Sequence, residues 1–524
     1  MSSPPQSPPL LEDGVQNRRW WWVLAVMAVG AWVLRVLPFF NRHGAFGYPV
    51  DYDEGVYFTA SALLFQGVLP YRDFIFVHPP GSLLLWSPAA ALASGWDAAT
   101  CFVLARWLAA GVGALNVFLV GRLALRAWGP VAGVVAALVY ATYPELVGVE
   151  RGPFLEPVLN LACLAMANVW LDAPEDGRAS RAWLWAGALC GLAISVKVPG
   201  GIWLAAALLS RSPRSAWRSQ LGLALAAGAT VLLLVGPFVA AAPSRFLQDV
   251  FLFQSLRPGD GEPDRLARLH DILHERRLVG VGLALLGLGV AAVRSFRAST
   301  PSRPTERFFA VAYALTVAAF LASPSYWNQY NAHLAASEAV LAGLGAAAIH
   351  GGLLARRWRW AHAVPVLLAV AVPLVSARHL REGLRARAPD LPALGMYLRQ
   401  SVPADAPVCA FEPAWGLTGG RLPPRLPGAP LVVDSYALML QDALASGEQF
   451  ASTQAAFYAS ASQRGILPLL ERCRYVVLGW RGAWQLSAES QQWFRERFVR
   501  RFPAEGQGGP DVWERRDASA REGP

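Results

Sequence analysis

Between Asp51 and Pro80 the chain reads DYDEGVYFTASALLFQGVLPYRDFIFVHPP, and Asp51, Asp53, Glu54, Asp73 and His78 gather there directly after the first long apolar run. Acidic side chains in that position stand where a membrane-spanning helix leaves the bilayer, so they can stay ionised in interfacial water while facing a lipid-borne substrate. A carboxylate such as Asp53 or Glu54 can take the proton of an acceptor hydroxyl as that hydroxyl attacks a sugar carbon. The same pair, with His78, could hold a divalent cation. The alternative for Asp53 is a helix N-cap, because EGVYFTASALLFQG behind it has the spacing of an amphipathic interfacial helix. Asp51, Tyr57 and Arg72 complete the polar lining expected of this loop, and the prolines of VHPPG fix its end.

Lys197 is the only lysine in the chain; every other permanently cationic side chain is an arginine. A compact ammonium in place of a planar fork, at the outer end of GALCGLAISVK, could neutralise a phosphate leaving group. A snorkelling helix-end lysine is the other reading. His78 and Arg151 are further candidates for the same phosphate. Glu156 heads LEPVLN, where a second catalytic carboxylate and a plain helix-terminus charge look alike. Tyr326, Tyr330 and His333 belong to SPSYWNQYNAH, which is either an aromatic belt or a contact surface for sugar and lipid.

The elements that must position these groups are set by composition. Of 524 residues, 54% are hydrophobic and 16% charged, against about a quarter charged in a soluble domain, so the chain is a polytopic α-helical membrane protein. The net charge of +10 comes from arginines in short clusters between apolar runs, as cytoplasmic loops require, and this excludes nucleic acid as a partner. Residues 1–19 are Pro/Ser-rich and read as a disordered cytoplasmic tail. Trp20 to Phe40 is an uncleaved first span with Arg18 and Arg19 inside.

Gly81 to Gly95 is too short to cross and reads as a juxtamembrane helix within a first outer loop of 41–98. Arginine placement then yields about eleven spans through residue 377, with the C-terminus outside. Residues 378–516 form a small α/β domain: PVCAFEP, APLVVDSY, RYVVLGW and DVWERR are expected strands, and LPALGMYLRQ, ILPLLERC and ESQQWFRERFVRRF expected helices. Residues 517–524 read as a disordered end. Cys409 and Cys473 could pair if this domain is extracytoplasmic. No Gly-rich phosphate loop occurs, so no nucleotide cofactor is expected.

The order Asp53-Glu54, Tyr57, Gly67, then a basic residue before proline, in a loop behind the first span, resembles the GT-C superfamily of polyprenyl-phosphate-sugar-dependent glycosyltransferases. The nearest look is to the family 39 type, which includes protein O-mannosyltransferases and the lipid A aminoarabinose transferase, and to related bacterial galacturonosyltransferase-like proteins. The resemblance implies that Asp53, followed by Glu54, is the essential first-loop acid, and that Glu156 or Glu150 is the second. The aminoarabinose transferase has lysine before the loop proline where this chain has His78, and Lys197 could compensate.

It further implies an inverting transferase of the bacterial inner membrane with a periplasmic C-terminal domain. The donor would be a polyprenyl-phosphate sugar and the acceptor a lipid, glycan or protein. The rival classes are a transporter or flippase, whose mid-membrane ionisable residues would be Arg35 and Glu338, and a catalytically silent membrane partner.

Overall fold

The computed structural model describes residues 16–92, 95–173, 181–211, 213–259, 264–273, 277–296, 303–503 and 509–516. Most of the N-terminal tail and all of 517–524 lie outside the described residues. Among the described residues, seven helices are long and apolar enough to cross a membrane: Arg18–Phe39, Ala98–Trp128, Trp217–Ala241, Leu278–Phe296, Pro304–Ala322, Asn328–Ala355 and Ala361–Gln400. Four shorter apolar helices, Pro130–Ala141, Leu155–Trp170, Arg181–Val196 and Val198–Leu209, lie between them. Long and short together fall on the eleven apolar runs read as spans from the sequence.

In chain order the first helices are α1 (Gln16–Val36), α2 (Tyr52–Phe65), α3 (Gly81–Ala91), α4 (Ala98–Trp128), α5 (Pro130–Ala141), α6 (Pro144–Val149), α7 (Leu155–Trp170), α8 (Arg181–Val196), α9 (Gly201–Leu209) and α10 (Pro213–Ala241). There follow α11 (Pro243–Leu247), α12 (Phe253–Leu256), α13 (Arg265–Ile272), α14 (Leu278–Phe296), α15 (Pro304–Ala322), α16 (Asn331–Ala355) and α17 (Val364–Arg385). Helix α16 forms the centre: every residue from Asn331 to Ala346 is buried, and α4, α5, α7, α14 and α15 all pack on it. Its NAHLAASEAVLAGLGAAA sequence is rich in Ala and Gly, and small residues are what allow such close helix approach where lipid tails are as apolar as leucine. Pro79 and Pro80 delay helix formation so that α3 starts at Gly81; Pro88 lies inside the helix, which runs on to Ala91.

The C-terminal domain contains α18 (Asp390–Gln400), β1 (Val408–Ala410), α19 (Pro413–Thr418), α20 (Ser435–Ala445), α21 (Thr453–Tyr458), α22 (Ser460–Arg472), β2 (Tyr475–Val477), α23 (Gly479–Gln485), α24 (Ala488–Arg497), β3 (Phe498–Phe502) and β4 (Val512–Arg515). The sheet order is β1-β2-β4-β3, with β1 and β2 parallel and the other pairs antiparallel. Cys409 on β1 and Cys473 at the end of α22 are joined by a disulfide, with Cα atoms 5.9 Å apart.

Two expected elements differ. APLVVDSY is not a strand: Val433 buries against the membrane bundle, and Asp434 accepts from the Ala437 amide at 2.7 Å to start α20. In ESQQWFRERFVRRF the helix stops at Arg497, because FVRRF finds a ladder partner in β4, and Phe498 stacks on Phe494 with ring centroids 4.3 Å apart.

Candidate active site

A polar chamber of about 310 Å3 lies between the first loop, the α8–α9 turn and the C-terminal domain. It is lined by Asp51, Asp53, Tyr57, His78, Lys197 and Tyr330, all expected from the sequence, and also by Tyr52, Arg257, Gln329, Asp434, Arg481 and Trp484.

The start of α2 positions the acids. Asp51 caps the helix, its carboxylate accepting from the Asp53 amide at 2.9 Å, while Glu54 accepts from the Asp51 amide at 2.8 Å. This reciprocal arrangement fixes the first turn. Successive residues of a helix point about 100° apart, so with Glu54 turned inward, Asp53 and, one turn on, Val56 and Tyr57 face the chamber. Gly55 lies against the C-terminal domain so closely that a Cβ there would be 2.5 Å from the Ala414 amide nitrogen. Asp53 receives a hydrogen bond from Gln329 Nε2 at 2.6 Å. Half-buried beside the carboxylates of Asp51, Glu156 and Asp434, it is desolvated and repelled enough for its pKa to rise to about 7.

Lys197 ends α8 in an extended conformation (φ −154°) at the Val198-Pro199-Gly200 turn. Its ammonium donates to Glu156 Oε1 at 2.8 Å and lies 4.4 Å from the centre of the Tyr330 ring. Arg257 donates to the Tyr330 hydroxyl at 3.1 Å, so one tyrosine holds two cations at one place. The His78 loop is brought alongside because Gly81 needs no Cβ; one would stand 2.5 Å from the Ser195 carbonyl oxygen of α8. Tyr71, in the left-handed region at φ 66°, donates its hydroxyl to the His78 carbonyl at 2.6 Å. Burial and the charges of Lys197 and Arg257 hold the His78 imidazole well below the usual histidine range, so it stays neutral and can act there only through hydrogen bonds.

A second cavity, also about 310 Å3, meets the chamber at His78, Lys197, Gln254, Arg257 and Tyr330. Away from that junction its walls are Val198, Pro199, Val250, Phe251, Ala319 and Phe320, with His333 at its inner side. On the opposite side, a groove of about 350 Å3 shares Asp51, Tyr52, Trp480 and Arg481 with the chamber and continues along Pro49, Val50, Leu391 and Pro510.

Several sequence candidates stand apart. Glu54 is 2% exposed and faces Arg106, with Nε to Oε2 at 3.1 Å; as Asp53's immediate neighbour it cannot share that face. Asp53, Glu54 and His78 therefore do not fit a common cation, and among the described residues no three His, Cys, Asp or Glu side chains converge to hold one. Arg151 is 2% exposed, gives its guanidinium to the carbonyls of Leu34, Arg35 and Gly383 and to the Tyr48 hydroxyl, and lines neither the chamber nor the cavity that meets it. Arg72 is exposed and pairs with Asp73 at 2.8 Å. Tyr326 is buried and donates to Asn331 Oδ1 at 2.7 Å. Glu156 does not line the chamber; it stands behind Lys197. The ionisable residues that a transporter would need are locked in pairs, Arg35 with Glu150 and Glu338 with Arg277.

Sequence reasoning missed Arg257, Gln329, Asp434 and Arg481. Arg481 stacks 3.9 Å from the centre of the Tyr52 ring and donates to Glu412 at 2.9 Å. Tyr52 in turn donates to Asp434 at 2.7 Å. The run GWRGAW, two tryptophans around an arginine, was the available signal for this wall. Arg257 follows the end of α12 and Gln329 lies in a single 3-10 turn, Asn328–Tyr330, neither with a periodicity to mark it.

The family model described as Glycosyltransferase family 87 matches residues 76–324. A search of curated protein sequences gives no match. Among solved structures, the chain is similar to ArnT from Cupriavidus metallidurans in the apo state, with TM-score 0.61 and 15% identity, covering 97% of this chain and 100% of that one. The same protein bound to undecaprenyl phosphate gives TM-score 0.59 and 15% identity, covering 95% and 98%. The apo oligosaccharyltransferase of Archaeoglobus fulgidus gives TM-score 0.59 and 13% identity, covering 89% and 70%. The sequence reading favours family 39, whereas the matching family model is that of family 87. The family match covers residues 76–324, a little under half of the chain, and the fold it shares with these solved structures runs over nearly all of it.

Proposed function

We propose that the chain moves a sugar from a polyprenyl-phosphate donor to an acceptor hydroxyl, with inversion, on the extracytoplasmic side of a bacterial inner membrane. The observation that carries this reading is the junction: Asp53 and Lys197 line one chamber, and that chamber meets an apolar cavity at Lys197, His78, Arg257 and Tyr330. An isoprenoid tail lies in the apolar cavity, the phosphate rests at the junction, and the sugar projects into the chamber. The bound lipid of one structural neighbour, undecaprenyl phosphate, is a ligand of this kind. The acceptor, a lipid, glycan or protein, enters by the groove along Pro49 and Leu391.

Chemistry follows from the placement. Gln329 fixes one oxygen of Asp53, and the other accepts the proton of the acceptor hydroxyl as its oxygen attacks the anomeric carbon. A raised pKa makes Asp53 a base poised near neutral pH. As the bond from the anomeric carbon to the phosphate oxygen breaks, Lys197 and Arg257 stabilise the charge that develops on the phosphate. Glu156 holds the ammonium in position. No step in this scheme passes through a metal.

Incubating membranes with radiolabelled polyprenyl-phosphate sugars tests the reading. Asp53→Asn and Lys197→Ala are each expected to lose about 10² to 10³-fold of transfer at unchanged protein level, as removal of a general base or an oxyanion donor does. Transfer at the unsubstituted rate by Asp53→Asn refutes it.

A further inference from the structure

The hydrophobic core of the C-terminal domain reaches beyond the domain itself. Phe253 of α12 belongs to it, in one cluster with Leu440, Phe457 and Phe494, and Ile75 and Val77 of the first outer loop pack against that cluster. Phe76, Val77 and His78, and likewise Gln254 and Arg257, line the chamber. The two segments that bring His78 and Arg257 to the phosphate junction are therefore seated on the C-terminal domain as well as on the membrane bundle. Just past Arg257, the Gly259 carbonyl accepts from the Thr453 amide of α21 at 3.1 Å.

Directed hydrogen bonds fix this seat. Asp249 Oδ2 accepts from the Phe76 amide at 3.3 Å, Gln254 donates to the Val77 carbonyl at 3.1 Å, and Tyr71 holds the His78 carbonyl. Three successive residues of the loop are thus gripped. Asp249 and Gln254, five positions apart, would stand about 140° apart around an α-helix. The π turn at Gln248–Leu252 takes in an extra residue, which lets both reach the same stretch.

Asp249 is 1% exposed, and its other oxygen ties the clamp to the C-terminal domain: Oδ1 accepts from Gln441 Nε2 of α20 at 2.8 Å. Seven positions before Gln441, two turns back on the same side, Asp434 accepts from the hydroxyl of Tyr52, the residue beside Asp53. The two anchor points are about 10 Å apart along α20. Ala437, Leu440 and Ala443 of that helix are fully buried in the core of the domain, so it is held as a strut between the helix of the base and the clamp.

We propose that the C-terminal domain positions the donor phosphate, with Gln441 and Asp249 as positioning residues that act through the Phe76–His78 stretch and Arg257. This rests on the donor reading given above. Neither side chain lines the chamber or the apolar cavity, so both act only through the groups they hold. The second anchor, Asp434 on Tyr52, sets that clamp in register with Asp53. A displacement of about 1 Å between reacting groups costs on the order of 10²-fold in rate, which is what such a strut guards against.

Calorimetric binding of farnesyl phosphate to the detergent-solubilised full chain tests the proposal, together with amide exchange of residues 74–78 followed by mass spectrometry. Asp249→Ala and Gln441→Met are each expected to bind roughly tenfold more weakly, the lower end of what a hydrogen bond to a charged group is worth. Misfolding lowers the stoichiometry of binding and leaves the affinity of the remaining sites unchanged, so the two effects separate. Asp249→Asn restores most of the affinity, because its oxygen still accepts from Phe76 and its amide donates to a turned Gln441. In Gln441→Met, exchange at 74–78 is expected to quicken although Asp249 is intact; this variant carries the test if Asp249→Ala does not fold. Unsubstituted affinity in Gln441→Met, unchanged exchange there, or an Asp249→Asn as weak as Asp249→Ala overturns the inference alone. Failure of the unsubstituted protein to bind farnesyl phosphate overturns it together with the donor reading.

Discussion

Glu54→Ala and Asp53→Asn, neighbours on α2, are expected to fail in opposite ways. Glu54 is 2% and Arg106 1% exposed, and their side chains meet at 3.1 Å and again at 3.3 Å. Removing one member of a buried pair leaves the other charge uncompensated, at about 3 to 5 kcal/mol. Arg106 keeps its bonds to the Ala45 and Pro49 carbonyls, which holds the loss toward the lower end. Loss of the Glu54 half of the capping box adds about 1 kcal/mol. A total near 4 kcal/mol lowers the folded-to-unfolded ratio by about three orders of magnitude.

Asp53→Asn carries no such penalty, because Asn retains an oxygen for Gln329 and removes a charge repelled by Asp51, Glu156 and Asp434. Denaturant unfolding of the purified protein, set beside transfer per folded molecule, separates the two. Glu54→Ala should unfold early yet keep its activity per folded molecule; Asp53→Asn should unfold at or above the unsubstituted midpoint and be inactive. Unchanged stability with lost transfer in Glu54→Ala would place Glu54 in the chemistry and refute the reasoning.

Because the Asp53 pKa is raised to about 7 and the base form is the ionised one, transfer should rise with pH and level off above about 7, falling about tenfold per pH unit below it. A flat profile between about pH 5.5 and about pH 8 contradicts that role. Arg257→Gln should weaken donor binding with little loss of stability, whereas Arg151→Gln, which strips hydrogen bonds from three carbonyls, should do the reverse; donor titration beside thermal unfolding distinguishes them. Replacing Cys409 and Cys473 by serine opens a cross-link spanning 64 residues, which chain entropy values at about 4 kcal/mol. Urea unfolding monitored on the C-terminal domain should shift accordingly, and an unchanged midpoint would refute the estimate.

The parts of this architecture that were legible are those written in local pattern. Run length and arginine clusters located the apolar helices, and the crowding of acids at Asp51 to Asp73 located the chamber. Lys197 stood out as the lone lysine. What remained hidden depended on direction. Asp53-Glu54 reads as one acidic pair, yet one helical step of rotation sends Glu54 to Arg106 and Asp53 to the chamber. Arg151 reads as a spare cation, but nearby carbonyls use its donors, and no sequence pattern reports the end of a helix that offers them. The far wall came from Asp434, 382 residues beyond Tyr52, and from Arg481 further on, and was joined to α2 by a tyrosine hydroxyl and a stacked guanidinium that only the folded chain brings together.

The central claim is that a lipid phosphate sits at the junction of the two cavities. An experimental structure of the full chain with a polyprenyl phosphate tests it most directly. The phosphate is expected within hydrogen-bond reach of Lys197 and Arg257, with the isoprenoid tail along Val198, Val250 and Phe320. A lipid found instead in the groove of about 690 Å3 lined by Trp20, Val131, His350 and Val370, with the junction left to solvent, would contradict it.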